Sequence, residues 1–306
     1  MPDKEKAEDR IEELLLQYTY YYGMRRSRKD RQRAYAFISD KYTEMGYPVT
    51  FDRMSLGMTR IGYCIAGNIK SAEKVFIAPF NTQNKTHFGR YRFFPFREKD
   101  SRIYNGLANA VDSIIWIVLV LLAYGIVYFL SDLRWAGLLA AVIVYAIYWM
   151  TLKGIFNFSP SAPLALMHYM ALHGRKKKVA YVFLDRCVDD YLPLKAFLAK
   201  YKEDLEYNNA QVIFLNNMAH GEQLVFASKE PDQKTDELAQ ACGGTCIKLE
   251  EGNLPRCFDD ASNLVFVTGA DQDQKGRYYV KDIRSKKDRT MDVVRLKKTA
   301  AALMPA

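Results

Sequence analysis

Three cysteines near the end of the chain are the residues whose spacing comes nearest to a metal site. Cys242 and Cys246 are separated by three residues, and Cys257 follows; paired thiolates at short spacing can begin a zinc site. No histidine or fourth cysteine lies near them, so ordinary cysteines around the turn at Gly243 are favoured over a metal site. The total of five cysteines is odd and lacks a disulfide pattern, which indicates a reducing compartment.

The four histidines do not form a catalytic or metal-binding group in sequence either. His168 and His173 are five residues apart on a predicted helix, which places them on different faces and disfavours a shared metal. His87 and His220 have no partner that spacing identifies, so we expect ordinary loop or surface positions for both. Spacing within the sequence therefore predicts no catalytic constellation.

The elements that would have to position such side chains alternate between helices and strands. Apolar runs and alternation predict strands at Ile61–Ile69, Val75–Pro79, Val179–Leu184, Gln211–Leu215, Thr245–Leu249 and Asn263–Thr268. Helical spacing of apolar residues predicts helices at Glu8–Gln17, Asp30–Met45, Ser161–His173, Leu192–Tyr201, Thr235–Ala241 and Thr290–Leu303. Strands that alternate with helices predict a three-layer α/β fold with a mainly parallel sheet covered on both faces.

Two long apolar runs interrupt this α/β pattern. Ser113–Ser131 contains 19 residues without a charge, and Trp135–Leu152 contains 18 more. Each run is long enough to cross a hydrocarbon core of about 30 Å as a helix. We therefore predict a two-helix transmembrane hairpin, and a simple soluble protein is excluded. The small residues Gly125 and Gly137 offer faces on which the two helices, or a partner helix, could pack closely.

Positive charge is concentrated outside the two apolar runs. The formal net charge is +9, with basic residues at 90–102 before the first run and at 175–178 after the second. Positive-inside reasoning places both flanks, and with them both termini and the globular domain, on the cytoplasmic side of the cell membrane. No nucleic-acid-binding motif accompanies the charge, so attraction to anionic lipid headgroups is the sufficient explanation and a nucleic-acid partner is not expected.

Six landmarks occur in an order that resembles a known family. They are Gly23–Arg26 with Ala34–Val49, then Val75–Thr82, Gly154–Ser161, Val182–Val188, Leu215–Met218 and Leu264–Gly269. Their order is similar to that of the zinc-dependent exopeptidases with two metal ions, which include aminopeptidases, glutaminyl cyclases and the transferrin-receptor ectodomain. The resemblance covers nearly the whole chain except the apolar hairpin and its basic approach segment. It implies an α/β fold of three layers and a site at the carboxyl ends of the strands.

The resemblance also identifies the positions at which that family binds zinc and performs acid–base catalysis. In this sequence those positions carry Pro79, Asn81, Asn157, Cys187, Val188, Asn217 and Tyr279. Pro79 and Tyr279 replace histidines, the three asparagines replace aspartates, and Cys187-Val188 replaces a pair of glutamates. An asparagine keeps the shape of an aspartate but lacks the charge that holds a divalent cation. The resemblance therefore implies a degenerate site with no catalytic residue, no metal and no cofactor.

Two ways in which the chain could still have a catalytic site stay open at this point. Asp189-Asp190 could take the place of the lost glutamate pair by a two-residue slip, although the spacing to Leu192 and Phe197 fits without one. Cys187 could act as a nucleophile, although no histidine is placed to activate it and a small buried residue is favoured. The alternative function is an active metal-dependent aminopeptidase-like hydrolase with non-standard ligands, and zinc would then be its cofactor.

The position of the hairpin relates this degenerate site to the membrane. The hairpin enters between the strand that ends near Thr82 and the helix that begins near Ser161, and both points border the carboxyl ends of the strands, where α/β proteins bind ligands. The segment 90–97 alternates basic and aromatic residues, which is typical either of a headgroup-level segment or of an edge strand. The predicted binding residues are Asn81, Asn157, Asn217, Arg90, Arg92 and Arg97.

These observations predict one α/β domain in two parts. Residues 1–110 form the first part, with its basic aromatic approach segment; 111–152 form the transmembrane hairpin; and 153–306 form the second part. The predicted function is that of a membrane-anchored pseudopeptidase that acts as a binding or scaffolding module. Its expected partners are the lipid bilayer and a membrane protein.

Overall fold

The computed structural model of this chain describes residues 11–130, 134–152, 157–188, 190–249, 255–259, 263–285, 287–288 and 291–304. Within these residues one mixed sheet of ten strands forms the centre of the fold. The strands are β1 Val49–Leu56, β2 Thr59–Gly67, β3 Lys74–Pro79, β4 Arg92–Phe93, β5 Val179–Leu184, β6 Gln211–Asn216, β7 Gln223–Ser228, β8 Thr245–Lys248, β9 Leu264–Gln272 and β10 Tyr278–Lys281.

The middle of the sheet is parallel and its borders are antiparallel. The main strand order is β1-β2-β5-β3-β6-β9-β10-β4, and β7 pairs with β8 and β9 off this path. The four central strands β5, β3, β6 and β9 run parallel to one another. Every residue of β5 is buried, as expected for a parallel strand covered on both faces. The predicted α/β fold with a mostly parallel central sheet is confirmed, and β2 and β10 border that centre as antiparallel strands.

Eight helices have bounds that the structure gives within the described residues. They are α1 Arg28–Glu44, α2 Glu98–Leu130, α3 Arg134–Leu152, α4 Ala162–His173, α5 Leu192–Lys200, α6 Lys202–Tyr207, α7 Gln233–Cys242 and α8 Val293–Leu303. A π-helical turn, Gln17–Tyr21, precedes α1. Ser27 caps α1, because its hydroxyl accepts a hydrogen bond from the backbone N–H of Asp30 at 3.1 Å.

Alternate residues of the central strands point to two separate hydrophobic layers. Phe76 and Tyr181 face the layer that contains α1, α4, α7 and α8. Their neighbours Val75 and Val182 face the opposite layer, which contains α5 and α6. This alternation follows from the two-residue period of a strand. The fold therefore has three layers, with helices on both faces of the sheet.

The two longest helices, α2 and α3, form a hairpin beside this domain. Both are long and apolar enough, by length and composition, to cross a membrane, and most of their large apolar side chains are exposed. Helix α2 begins 15 residues before the apolar run at Ser113, so its polar first half lies alongside the domain. The hairpin helices contact each other at Trp116 and Tyr145, whose rings are 5.4 Å apart.

The base of the hairpin is attached to the domain through a cluster of polar groups. The Tyr148 hydroxyl donates a hydrogen bond to the backbone carbonyl of Asp112 at 2.8 Å. The backbone N–H of His87 donates to the Asp112 carboxylate at 2.8 Å, and the His87 ring stacks on that of Tyr148. His87 is an exposed loop residue, as expected, and it also takes part in this junction.

Candidate functional site

The sequence-predicted positions gather mainly at the carboxyl ends of the central strands. Pro79 ends β3 and Asn81 follows it, Cys187 follows β5, and Asn217 follows β6. Because these three strands are parallel, their carboxyl ends lie at the same edge of the sheet. The topology therefore places these residues where an α/β fold builds its ligand site.

Four of the seven positions are in direct proximity. Pro79 is paired with Leu184 across β3 and β5, and the side-chain oxygen of Asn81 accepts a hydrogen bond from the Cys187 backbone N–H at 2.9 Å. Cys187 is fully buried and Val188 is 2% exposed. Asn81 thus holds the turn after β5 in place, and the buried Cys187 side chain is not accessible to a substrate in solution.

Asn157 and Asn217 are buried polar residues with unsatisfied side-chain atoms. Asn157 donates a hydrogen bond to the Ile283 carbonyl at 3.2 Å, while its side-chain oxygen has no partner among the described residues. Both amide atoms of Asn217 are also without a described partner. Its φ of 49° lies in the left-handed region, which asparagine tolerates better than most residues. These amides have no described hydrogen bond to Asn81, so the structure does not join the three asparagines into one network.

Tyr279 and the predicted basic residues belong to β10, β4 and the segment before α2, and Tyr279 pairs with Asp271 near the carboxyl end of β9. Tyr279 is on β10, and the Arg92 guanidinium lies 4.4 Å from the centre of its ring. Arg97 is paired with Asp100 at 3.4 Å, and Arg90 is exposed. Arg92 belongs to the short strand β4, which pairs with β10, so the structure favours the edge-strand interpretation of the segment 90–97. Its aromatic residues Phe93, Phe94 and Phe96 are buried.

The side chains at the positions that the resemblance assigns to zinc ligands do not suit a zinc ion. Proline and valine side chains offer no ligand atom, and an asparagine side chain brings no negative charge. Within the described residues there is also no group of three or more histidine, cysteine, aspartate or glutamate side chains arranged to hold a metal. The residues present therefore do not fit the dizinc centre that the resemblance would imply.

A buried polar cluster that sequence reasoning missed lies beside Asn157. One carboxylate oxygen of Asp288 accepts hydrogen bonds from the backbone N–H and the hydroxyl of Ser159, both at 3.0 Å, and lies 2.7 Å from Nε2 of His220. Burial raises the pKa of Asp288. His220 lies in the loop between β6 and β7, as expected, and has a buried partner that sequence spacing does not identify. Ser159 contacts the carboxylate and not the imidazole, so the cluster lacks the order of a nucleophilic triad.

A buried arginine ties together the elements around this edge of the sheet. Arg25 is fully buried, and its guanidinium donates hydrogen bonds to the backbone carbonyls of Tyr18, Tyr22, Phe80 and Pro160 at 2.6–3.1 Å. Burial lowers the pKa of Arg25 to about 10, so the side chain is still charged at neutral pH. A single cation therefore links the π-helical turn, the end of β3 and the loop before α4.

Next to Arg25 an open cleft of about 400 Å³ is rich in arginine. Its lining consists of Arg25, Arg26, Arg31, Asn81, Thr82, Gln83, Asn84, Asn105, Asn109, Arg186 and Arg284. No aspartate or glutamate is among these residues. Asn81 is the one predicted site residue in the lining. Three of the arginines lie within residues 25–31, but Arg186 and Arg284 are far from them in sequence, so no local pattern could have identified all five as a group.

Solved structures share this architecture across almost the whole chain. A glutaminyl cyclase from Bacteroides thetaiotaomicron has a TM-score of 0.54 at 10% identity, and the match covers 98% of this chain and 95% of that one. A Zn-dependent exopeptidase from Parabacteroides distasonis has a TM-score of 0.52 at 9% identity over 98% and 95% of the two chains. The LapA aminopeptidase of Legionella pneumophila has a TM-score of 0.53 at 9% identity over 98% and 69%.

The comparisons by sequence alone identify no relative. No protein-family model matches the chain, and no curated protein matches it either. The likeness at about 10% identity is therefore one of architecture, and it agrees with the order of landmarks in the sequence. On this basis the chain has the fold of the zinc-dependent exopeptidases.

Proposed function

We propose that this chain is a membrane-anchored pseudopeptidase that binds a ligand or partner at the carboxyl ends of its central strands. The observation that carries the proposal is the charge of the cleft beside Asn81, whose lining, among the described residues, contains five arginines and no carboxylate. The resemblance adds that Asn81, Asn157 and Asn217 occupy positions at which the family has carboxylates. A cleft with this charge attracts anions and repels the divalent cations that a metallopeptidase needs.

The hairpin α2–α3 supports the membrane part of the proposal. Its exposed apolar surface would be costly in water and is accounted for by a bilayer. Basic residues lie on both of its outer flanks, so we propose that the domain and both termini are cytoplasmic.

This orientation can be tested by labelling intact cells with a membrane-impermeant thiol reagent. A cysteine introduced at Ser131, in the link between the helices, is expected to react from outside, whereas a cysteine at the exposed Lys234 of α7 is expected to react only after the cells are opened. Labelling of position 234 but not 131 in intact cells would contradict the cytoplasmic assignment.

The binding role can be tested by photocrosslinking in native membranes. We expect probes at Asn81 and at Asn109, both in the cleft lining, to give discrete adducts with a lipid or a membrane protein. A probe at exposed Lys234, outside this cleft, is the control. Equal, diffuse labelling from all three positions would contradict a binding role for the cleft.

The alternative function, a metal-dependent hydrolase with other ligands, predicts instead that the purified chain releases amino-terminal residues from peptides when zinc is supplied.

A further inference from the structure

The cleft beside Arg25, called here the arginine cleft, has more positive charge than the described chain neutralises. Arg31 is paired with Asp185 at 3.3 Å. The guanidinium groups of Arg26 and Arg186 make no hydrogen bond or ion pair with a described residue. Burial raises the pKa of Asp185, and the charges of Arg31 and Arg186 oppose part of that rise. Burial, and then the neighbouring Arg284, lower the pKa of Arg26, which places two like charges close together in the cleft.

Arg284 is held rigidly at this position. Its guanidinium donates to the Asn84 carbonyl at 2.8 Å and to the side-chain oxygen of Asn105 at 3.3 Å, and it lies 5.0 Å from the centre of the Tyr91 ring. None of these partners is an acid. A guanidinium fixed by neutral groups keeps its full charge available to a ligand and loses little side-chain entropy on binding one.

An unsatisfied buried donor points to the same cleft. Gln83 is 7% exposed and lines the cleft, and its side-chain Nε2 has no hydrogen-bond partner among the described residues. A buried amide without a partner costs free energy, which an incoming acceptor oxygen would recover. Arg186 has a φ of 59°, in the left-handed region where a non-glycine residue is strained; such strain is concentrated at functional sites.

The location of the cleft limits the source of its ligand. Asn105 and Asn109 belong to α2, and the apolar run of that helix begins four residues after Asn109. Four residues of helix correspond to about 6 Å. A group bound in the arginine cleft would therefore lie at the depth of the lipid headgroups if α2 crosses the bilayer.

We propose that the arginine cleft binds a phosphomonoester group. This inference rests on the proposed binding function and specifies its ligand class. A phosphomonoester has a charge of about −1.5 to −2 and three acceptor oxygens. Arg26, Arg186 and Arg284 supply charge and forked donors for it, and the Gln83 amide supplies a further donor. The group belongs either to a lipid, such as phosphatidic acid, or to a soluble compound.

The test uses the full chain and distinguishes the two sources. Binding of glycerol 3-phosphate to the detergent-purified protein is measured by calorimetry. Retention of phosphatidic acid is measured by native mass spectrometry after reconstitution in phosphatidylcholine nanodiscs that contain it, with phosphatidylserine in a parallel sample. Calorimetric binding of glycerol 3-phosphate would show that a soluble phosphomonoester is enough to occupy the cleft. Retention of phosphatidic acid without binding of glycerol 3-phosphate would show that the ligand is the lipid.

Two charge-matched variants decide whether the cleft is responsible. Arg26→Gln is expected to weaken the binding about tenfold and to fold normally, because the Arg26 guanidinium has no described hydrogen bond. Arg175→Gln removes the same charge from an exposed residue between α4 and β5, outside the cleft lining, and is expected to leave binding unchanged. Equal affinities in the two variants, no binding of either phosphomonoester, or equal retention of phosphatidylserine would overturn the proposal. Zinc content and peptidase activity of the same preparation report separately on the proposed function.

Discussion

At the scale of single residues, an internal cation takes part in holding the edge of the sheet at which the central parallel strands end. The Arg25 guanidinium bonds to carbonyls on three segments that meet there, including those of Phe80 and Pro160. Its bonding partners are neutral, so its desolvation is offset by hydrogen bonds and not by an ion pair. The sequence contains Arg25 within a landmark of the resemblance, but nothing in its local pattern indicates burial.

Substitution of Arg25 tests this role. Arg25→Lys keeps the charge but loses the planar fork, so carbonyls of Tyr18, Phe80 and Pro160 cannot all keep a donor. Leaving buried acceptors unpaired costs about 1–3 kcal/mol each, and we expect the free energy of unfolding to fall by about 3 kcal/mol. The measurement is urea unfolding of the detergent-solubilised chain, followed by the reaction of buried Cys64 with a thiol reagent.

The control for this prediction is Arg28→Lys, at the exposed first residue of α1. We expect it to change the free energy of unfolding by less than about 0.5 kcal/mol. If Arg25→Lys were equally mild, the carbonyls around Arg25 would have other donors, and the linking role would be wrong.

At the scale of elements, the hairpin depends on one close approach between its helices. A Cβ atom on Gly137 of α3 would lie 3.1 Å from the Tyr124 ring and 3.2 Å from the Tyr124 carbonyl oxygen of α2, whereas a Cβ on Gly125 would meet nothing within 4 Å. The sequence predicts close helix packing at both glycines. In the structure Gly137 lies where the two helices meet, whereas Gly125 has open space beside it.

This difference gives a matched pair of variants. Gly137→Leu is expected to push α3 away from Tyr124, because the carbonyl cannot move without disturbing α2. Cysteines placed at Trp116 and Tyr145, where the helices meet, should then form a disulfide about tenfold more slowly under mild oxidation. Gly125→Leu should leave the rate unchanged. Equal rates in the two variants would show that close packing at Gly137 does not hold the hairpin together.

The strands illustrate which parts of the fold can be predicted from sequence patterns. Central strands such as β3 and β5 are short and mostly apolar runs between turn residues, so their bounds agree with the prediction within a residue or two. Strand β4 contains two residues and is stabilised by pairing with β10, which is about 190 positions away in sequence. Local propensity does not encode such a pairing, and segment 90–97 therefore had two interpretations.

The residues of the candidate site also differ in whether the sequence predicts that they lie together. Asn81 and Cys187 could be placed together from sequence because each directly follows a parallel strand. Asp288 and Arg284 could not, because they lie in a polar segment after β10 without periodicity and reach the site through contacts such as that between Asp288 and Ser159, 129 positions apart. Long-range contacts of this kind are properties of the folded chain alone.

At the scale of the whole molecule, charge and apolar surface are arranged toward the same side. The arginine cleft is bordered by the first half of α2, and the apolar half of that helix continues away from it. The net charge of +9 favours an anionic surface as the neighbour. The proposed binding function at a membrane rests on this arrangement of the arginine cleft and the apolar hairpin within an exopeptidase fold.

The zinc content of the purified chain tests the central claim most directly. The full-length protein, extracted in detergent and dialysed against buffer with micromolar zinc and no chelator, would be analysed by elemental mass spectrometry against protein concentration from amino-acid analysis. A solved zinc aminopeptidase of the same fold, treated identically, is the control. We expect well under one zinc ion per chain, because Pro79, Asn81, Asn157 and Asn217 do not provide charged ligands. About two zinc ions per chain would contradict the account.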